Sequence, residues 1–149
     1  MTGAAAEIRE ARRDDAPALA ILSTELGYAV DAQRIARRLD GLLAGRGDVV
    51  FVAVADHAGI VGFGHAAEKR LLVSEPFVEL EGLIVTTAAR RRGAAAGLVA
   101  AVERWTLERG VTELRVRARL ERDVADLFYR RQGFALEKLQ RVLAKRLRV

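Results

Sequence analysis

The chain has 149 residues, 51% of them apolar, and a formal net charge of +5. That length suits one domain with a proper core, expected over residues 1–149, and no apolar run approaches the length of a membrane helix. Cysteine is absent, which excludes disulfides, a cysteine nucleophile and a thiolate metal site.

Two histidines, His57 and His65, cannot make a zinc site without carboxylates, so no metal is expected. The opening MTGAAAEIREARRDD lacks the apolar core of a secretory leader, and the expected compartment is the cytoplasm. Arginine carries nearly all the positive charge, since lysine occurs only at 69, 138 and 145. A basic surface suits an anionic cofactor or nucleic acid. Compositional bias explains most of it. Only Arg90, Arg91 and Arg92 are placed well enough to argue from.

Residues 8–12 read as a first strand. Asp14 or Asp15 suits a helix N-cap and Pro17 the first turn. Leu19, Leu22 and Leu26 follow with helical spacing, with Ile21 beside them, until Gly27. Asp31 can cap a second helix with Ile35, Leu39, Leu42 and Leu43 on one face; Gly45 and Gly47 end it. Residues 49–55 form a near-continuous apolar run, a strand buried on both faces. Asp56-His57-Ala58-Gly59 is a hairpin turn, with His57 solvated. Residues 60–67 return as the next strand; His65 lies in it, with no role assigned. Ser74, Glu75 and Pro76 break the chain before a strand from Phe77 to Val85.

After that strand a turn leads into an Ala-rich helix, where Ala95, Leu98, Val102 and Trp105 form a stripe that stops at Arg109-Gly110. Residues 111–118 alternate as another strand. A helix follows from about Asp123, carrying Val124, Leu127 and Phe128, and ends at Gln132-Gly133. Residues 134–139 and 141–147 fit two final strands, with helix an alternative for the second.

The strand, turn and helix from Glu79 to Gly97 organise the chain. A small-residue turn at a helix N-terminus presents unpaired N–H groups and the positive end of the dipole, a site for phosphate oxygens. Three arginines beside it strengthen the attraction. No Lys-Ser or Lys-Thr pair follows a glycine, and G-x-G-x-x-G is absent, so neither nucleotide-binding fingerprint applies.

Arg90-x-x-Gly93-x-Ala95 resembles the acyl-CoA pyrophosphate loop of the GNAT superfamily of N-acetyltransferases. Ala125-x-x-x-Tyr129-x-x-x-Gly133-Phe134 resembles that family's second motif, at the right separation. The order of elements matches throughout. The resemblance implies an α/β fold with a mixed, mostly antiparallel central sheet of six to seven strands flanked by about four helices. It implies transfer of an acyl group, acetyl above all, from acetyl-CoA to a primary amine by direct transfer in a ternary complex.

In that reading Arg90, Arg91, Arg92, Gly93, Ala94, Ala95 and Ala96 hold the pyrophosphate. Backbone N–H groups of Leu83, Ile84 and Val85 bind the pantetheine arm and polarise the thioester carbonyl. Tyr129 is the candidate general acid for the departing thiolate. Glu79 and Glu81, two apart on a strand, share a face; Glu81 is favoured for binding the amine and Glu79 as base. Tyr28 is placed at the acceptor pocket.

The chain departs from the family pattern at Thr87, where many relatives have Pro, and at Arg91, where many have Gly. A common asparagine near the start of the tyrosine helix is absent, with Arg122 the nearest replacement. Relatives are often homodimers, for which the apolar C-terminal stretch is suited, as it is for ordinary core. Two alternatives stand beside the enzyme: a non-catalytic acyl-CoA sensor of the same fold, and, ranked last, a basic nucleic-acid-binding protein.

Overall fold

The computed structural model describes residues 5–120 and 123–148. The chain divides into two compact units, Met1–Arg117 and Ala118–Val149. The first holds strands β1 (Glu7–Glu10), β2 (Asp48–Ala55), β3 (Gly59–Lys69), β4 (Phe77–Val85) and β5 (Leu114–Val116). They lie side by side in that order, antiparallel except for the parallel pair β4–β5. The first unit also contains α1 (Ala16–Glu25) after a 3-10 turn (Arg13–Asp15), α2 (Ala32–Ala44), a single turn α3 (Thr87–Arg90), and α4 (Ala94–Glu108). The second contains α5 (Asp123–Arg131).

The mixed, mostly antiparallel α/β sheet is therefore present, with five described strands in place of six to seven and five helices in place of about four. Two differences account for this. The segments 134–139 and 141–147 form no strand, and Leu136, Leu139, Val142, Leu143 and Leu147 are exposed. Apolar content marks a strand candidate, but a strand exists only against a partner edge. The additional helix is α3, one turn nucleated by Thr86, whose hydroxyl accepts the Ala89 N–H at 3.3 Å. The strand expected over 111–118 shortens to three residues.

The sheet is covered on both faces. Val50 and Val52 join Ala11, Leu19 and Leu39 in a cluster beneath α1 and α2. On the other face α4 buries Leu98, Val99 and Val102 completely. This explains the unbroken apolar run of β2, which has no solvent side. Trp105 is only half-buried, and Thr106 is the buried residue of that turn, its hydroxyl donating to the Val102 carbonyl at 2.7 Å. Asp31 caps α2 as expected, accepting the Arg34 N–H at 2.8 Å.

Close approach decides one glycine. A Cβ on Gly62 would lie 2.9 Å from both the Ile84 carbonyl oxygen and Val85 Cγ2. Gly62→Ala is therefore expected to cost about 1–3 kcal/mol, measured by denaturant unfolding. An unchanged midpoint would show that β3 and β4 can separate freely.

Asp15 does not cap α1 with its side chain. It accepts two hydrogen bonds from Arg9, at 2.8 and 2.9 Å, and one from the Arg12 N–H at 2.7 Å. The Arg9 hydrogen bond above all holds the Asp15 carboxyl below the usual range. A depressed folded value means that the unfolded chain binds the proton first as pH falls. The stabilisation is complete above the ordinary value of about 4 and is lost as pH drops through the lower folded value. Asp15→Asn should lower Tm at neutral pH and flatten the acid limb of a Tm–pH profile; a parallel profile would assign the acid sensitivity elsewhere.

Candidate active site

The first element of the site is a gap in the sheet. β4 pairs with β3 along its whole length, from Phe77 opposite Lys69 to Val85 opposite Gly62. With β5 it pairs only at Val78, Glu79 and Leu80. Among the described residues, no strand pairs with the β5 side of β4 over the five residues from Glu81 to Val85, and this stretch is its open edge. A β-bulge sits at the point of divergence: Leu80 faces Ala66 and Gly82 faces His65, leaving Glu81 as the extra residue. Bulges bend a strand and re-aim its side chains. An open edge presents alternating N–H and C=O groups to an extended partner that carries amides. Leu83, Ile84 and Val85 lie on this edge.

The edge leads to the arginine turn. Thr86 caps α3, and three turn residues follow before α4. Gly93 stands at the N-cap of α4 with φ +82°, a left-handed conformation suited to glycine, and no side chain caps the helix. The first helical bond runs from the Gly97 N–H to the Gly93 carbonyl. The N–H groups of Ala94, Ala95 and Ala96 thus have no acceptor within the helix, and the positive end of a 15-residue dipole faces out. Arg91, Arg92 and Gly93 are exposed around it. Arg90 differs: its Nε donates to the Val85 carbonyl at 3.0 Å, fastening the turn to the end of β4. The residues present fit an acyl-CoA, with an edge for the amide-bearing arm and an uncapped helix for the pyrophosphate.

A cavity of about 520 Å³ reaches the same turn from the α1 side, lined by Leu22, Glu25, Ile60, Thr86, Ala89 and Arg92 among others. Glu79 and Glu81 are not part of its lining.

Glu81 begins the open edge at its other end, and Glu79 lies two residues before it, in the stretch paired with β5. Glu79 is buried, 5% exposed, and pairs with the Arg117 guanidinium at 2.5 Å. Glu81 is partly exposed and pairs with Lys69 Nζ at 2.6 Å. The bulge breaks the strict alternation that predicted a shared face, yet both carboxylates act on Lys69. The Glu81 hydrogen bond raises the Lys69 ammonium above its ordinary range, and the charges of Glu79 and Asp48 add to this. Asp48 itself lies 2.8 Å from His65 Nε2.

Tyr129 belongs to the second unit. It packs edge-on against Phe128 and Phe134, with ring centroids 5.3 and 5.6 Å away. Burial pushes its phenol upward from the ordinary value. Tyr28 is exposed in the link between α1 and α2, its N–H bonded to the Ser23 carbonyl. Arg122 lies outside the described residues. The described residues contain no group of three or more His, Asp or Glu suited to a metal and no helix long and apolar enough to cross a membrane.

Residues 7–134 match the family model described as "Acetyltransferase (GNAT) family". An aminoglycoside N(6')-acetyltransferase type 1 of Stenotrophomonas maltophilia is 34% identical over 147 residues, 96% of this chain and 94% of that protein. The same-named protein of Salmonella typhimurium is 35% identical over 102 residues, 66% of this chain and 68% of that one. Among solved structures, aminoglycoside 6'-N-acetyltransferase AAC(6')-Ih from Acinetobacter baumannii superposes with a TM-score of 0.83 at 21% identity, over 95% of this chain and 98% of that one. AAC(6')-Iy in complex with CoA has a TM-score of 0.79 at 26% identity, over 96% and 95%.

The chain belongs to the GNAT acetyltransferase family. It is an N-acetyltransferase that uses acetyl-CoA. The sensor and nucleic-acid alternatives are set aside, since the named relatives are enzymes of this fold.

Sequence reasoning missed Lys69 and Arg117, the cations on the two glutamates. Lys69 ends β3 and Arg117 follows the last residue of β5, and the register that brings them to Glu81 and Glu79 spans sequence separations that no local pattern encodes. It also missed the second role of Arg90. Arg92→Ala should weaken acetyl-CoA binding about three- to tenfold in calorimetry with Tm unchanged. Arg90→Ala should weaken binding and lower Tm together. Loss of Tm without loss of affinity in Arg90→Ala would make that residue purely structural.

Proposed function

We propose that the acceptor is an aminoglycoside and that acetyl passes to one of its primary amines directly, with both substrates bound. The observation that carries this reading is the open edge of β4, running from the Glu81 bulge to the uncapped N-terminus of α4. The named relatives, at 34–35% identity, support the acceptor class. Acidic residues at the far end of the edge suit a cationic acceptor. The reading treats both compact units as one catalytic domain, since the family match spans them.

The roles follow from what each step needs. Arg90, Arg91, Arg92 and Gly93, with the N–H groups of Ala94, Ala95 and Ala96, hold the pyrophosphate. N–H groups of Leu83, Ile84 and Val85 hold the arm and polarise the thioester carbonyl. Glu81 binds the acceptor ammonium, and Glu79 takes its proton through water; Tyr28 borders the acceptor. The freed amine attacks the carbonyl carbon, a C–N bond forms and the C–S bond breaks.

Tyr129 gives its proton to the departing sulfur. Ordinary values of about 10 for a phenol and 8.5 for a thiol oppose that transfer. Burial keeps the phenol protonated but makes it a weaker acid, so the tyrosinate must be stabilised as it forms. The cytoplasm and a homodimer using the apolar C-terminal stretch complete the proposal.

The test is steady-state acetylation of kanamycin A by the wild type and Tyr129→Phe. A fall in kcat of about a hundredfold with acetyl-CoA affinity retained is expected. Unchanged kcat would remove Tyr129 from the chemistry, and no turnover by the wild type would remove the aminoglycoside.

A further inference from the structure

The acceptor end of the site already contains an ammonium group. Lys69 is the last residue of β3, opposite Phe77 at the start of β4. Its Nζ lies 2.6 Å from Glu81 Oε1, with side chains 38% and 27% exposed. It also experiences the charges of Glu79 and Asp48. Three carboxylates therefore converge electrostatically on one lysine. Glu79 has a further cation in Arg117 and Asp48 has His65. Among the described residues Glu81 is paired with Lys69, and it is the extra residue of the bulge.

We propose that Lys69 is an internal competitor for the acceptor, its ammonium occupying the carboxylate of Glu81 until the acceptor's ammonium displaces it. The inference rests on the reading of Glu81 as the acceptor-binding carboxylate and adds a specificity determinant to it. A lysine suits this role physically. Its charge is a compact point on a flexible four-carbon stem, so the head can swing away while the stem stays on the strand. An arginine would hold the carboxylate with two parallel hydrogen bonds and yield less readily. In a half-exposed setting such an ion pair is weak enough for a substrate to break.

The consequence for specificity is a threshold. An acceptor with one amine exchanges one cation for another at Glu81 and gains little. An acceptor with several amines also reaches the field of Glu79 and Asp48, which Lys69 alone does not exhaust. Lys69 thereby favours polycationic acceptors over simple monoamines.

The experiment compares wild type, Lys69→Met, Lys69→Arg and Glu81→Gln at saturating acetyl-CoA, with kanamycin A and ethylamine as varied acceptors. Lys69→Met keeps the length of the stem without the charge. It should lower KM for kanamycin A about two- to fivefold, the scale of a partly exposed ion pair. It should lower KM for ethylamine by at least as much, with acetyl-CoA affinity and Tm retained. Lys69→Arg should raise both KM values. Glu81→Gln should raise both and abolish the effect of Lys69→Met when the two are combined.

A KM unchanged or raised in Lys69→Met, with Glu81→Gln still raising it, overturns the competitor role and leaves Glu81 as the acceptor carboxylate. A KM unmoved by Glu81→Gln overturns both. No acceptor binding by wild type or Lys69→Met in calorimetry overturns the inference together with the aminoglycoside reading.

Discussion

One strand holds two different partners over two different lengths, and the site depends on that mismatch. β4 keeps its antiparallel ladder to β3 throughout but loses β5 after Leu80. The bulge at Glu81 marks the divergence. An extra residue on one side of a ladder forces a local bend and stronger twist, so β4 cannot stay parallel to a neighbour joined through a long crossover. The resulting edge has hydrogen-bonding groups without strand partners, and such an edge is avoided in a fold unless something is meant to pair with it. In the proposed function the arm of acetyl-CoA meets that need.

The two ends of the edge are electrostatically opposite. At the Val85 end, the uncapped α4 terminus and exposed arginines suit phosphate. At the Glu79 end, carboxylates sit among lysine and arginine partners. In the proposed reading, a donor bearing negative charge and an acceptor bearing positive charge are drawn to opposite ends of one strand, with the acyl group between them. The net charge of +5 has little part in this arrangement. The local ordering of charge along β4 carries it.

Stability and function share residues. Arg90 is assigned to the phosphate-binding surface in the proposed function, while its Nε fastens the turn to the Val85 carbonyl. Gly62 has no side chain because the β3–β4 approach leaves no room beside Ile84 and Val85, the residues of the open edge. The side of β4 facing away from the substrate is therefore tightly packed, which keeps the exposed side in place. Glu68 and Arg109, bonded at 2.6 Å, tie the end of β3 to the C-terminus of α4. The crossover from the phosphate end of the site is anchored back to the sheet in this way.

The sequence by itself determined the local elements, the arginine turn among them. Strand β2 was legible as an apolar run, α2 from its Asp31 cap and apolar stripe, and the arginine turn from Gly93 and the alanines after it. These features rest on neighbours within a few residues, where propensity and capping act. The last strands were misread because the apolar residues from Phe134 to Leu147 carry no information about whether an edge awaits them. Only the tertiary structure decided where β5 stops, that Glu81 is a bulge residue, and that Lys69 and Arg117 sit on the two glutamates. Each of these depends on strand register between segments 12 to 38 residues apart. Register is set by packing of whole faces rather than by any local pattern.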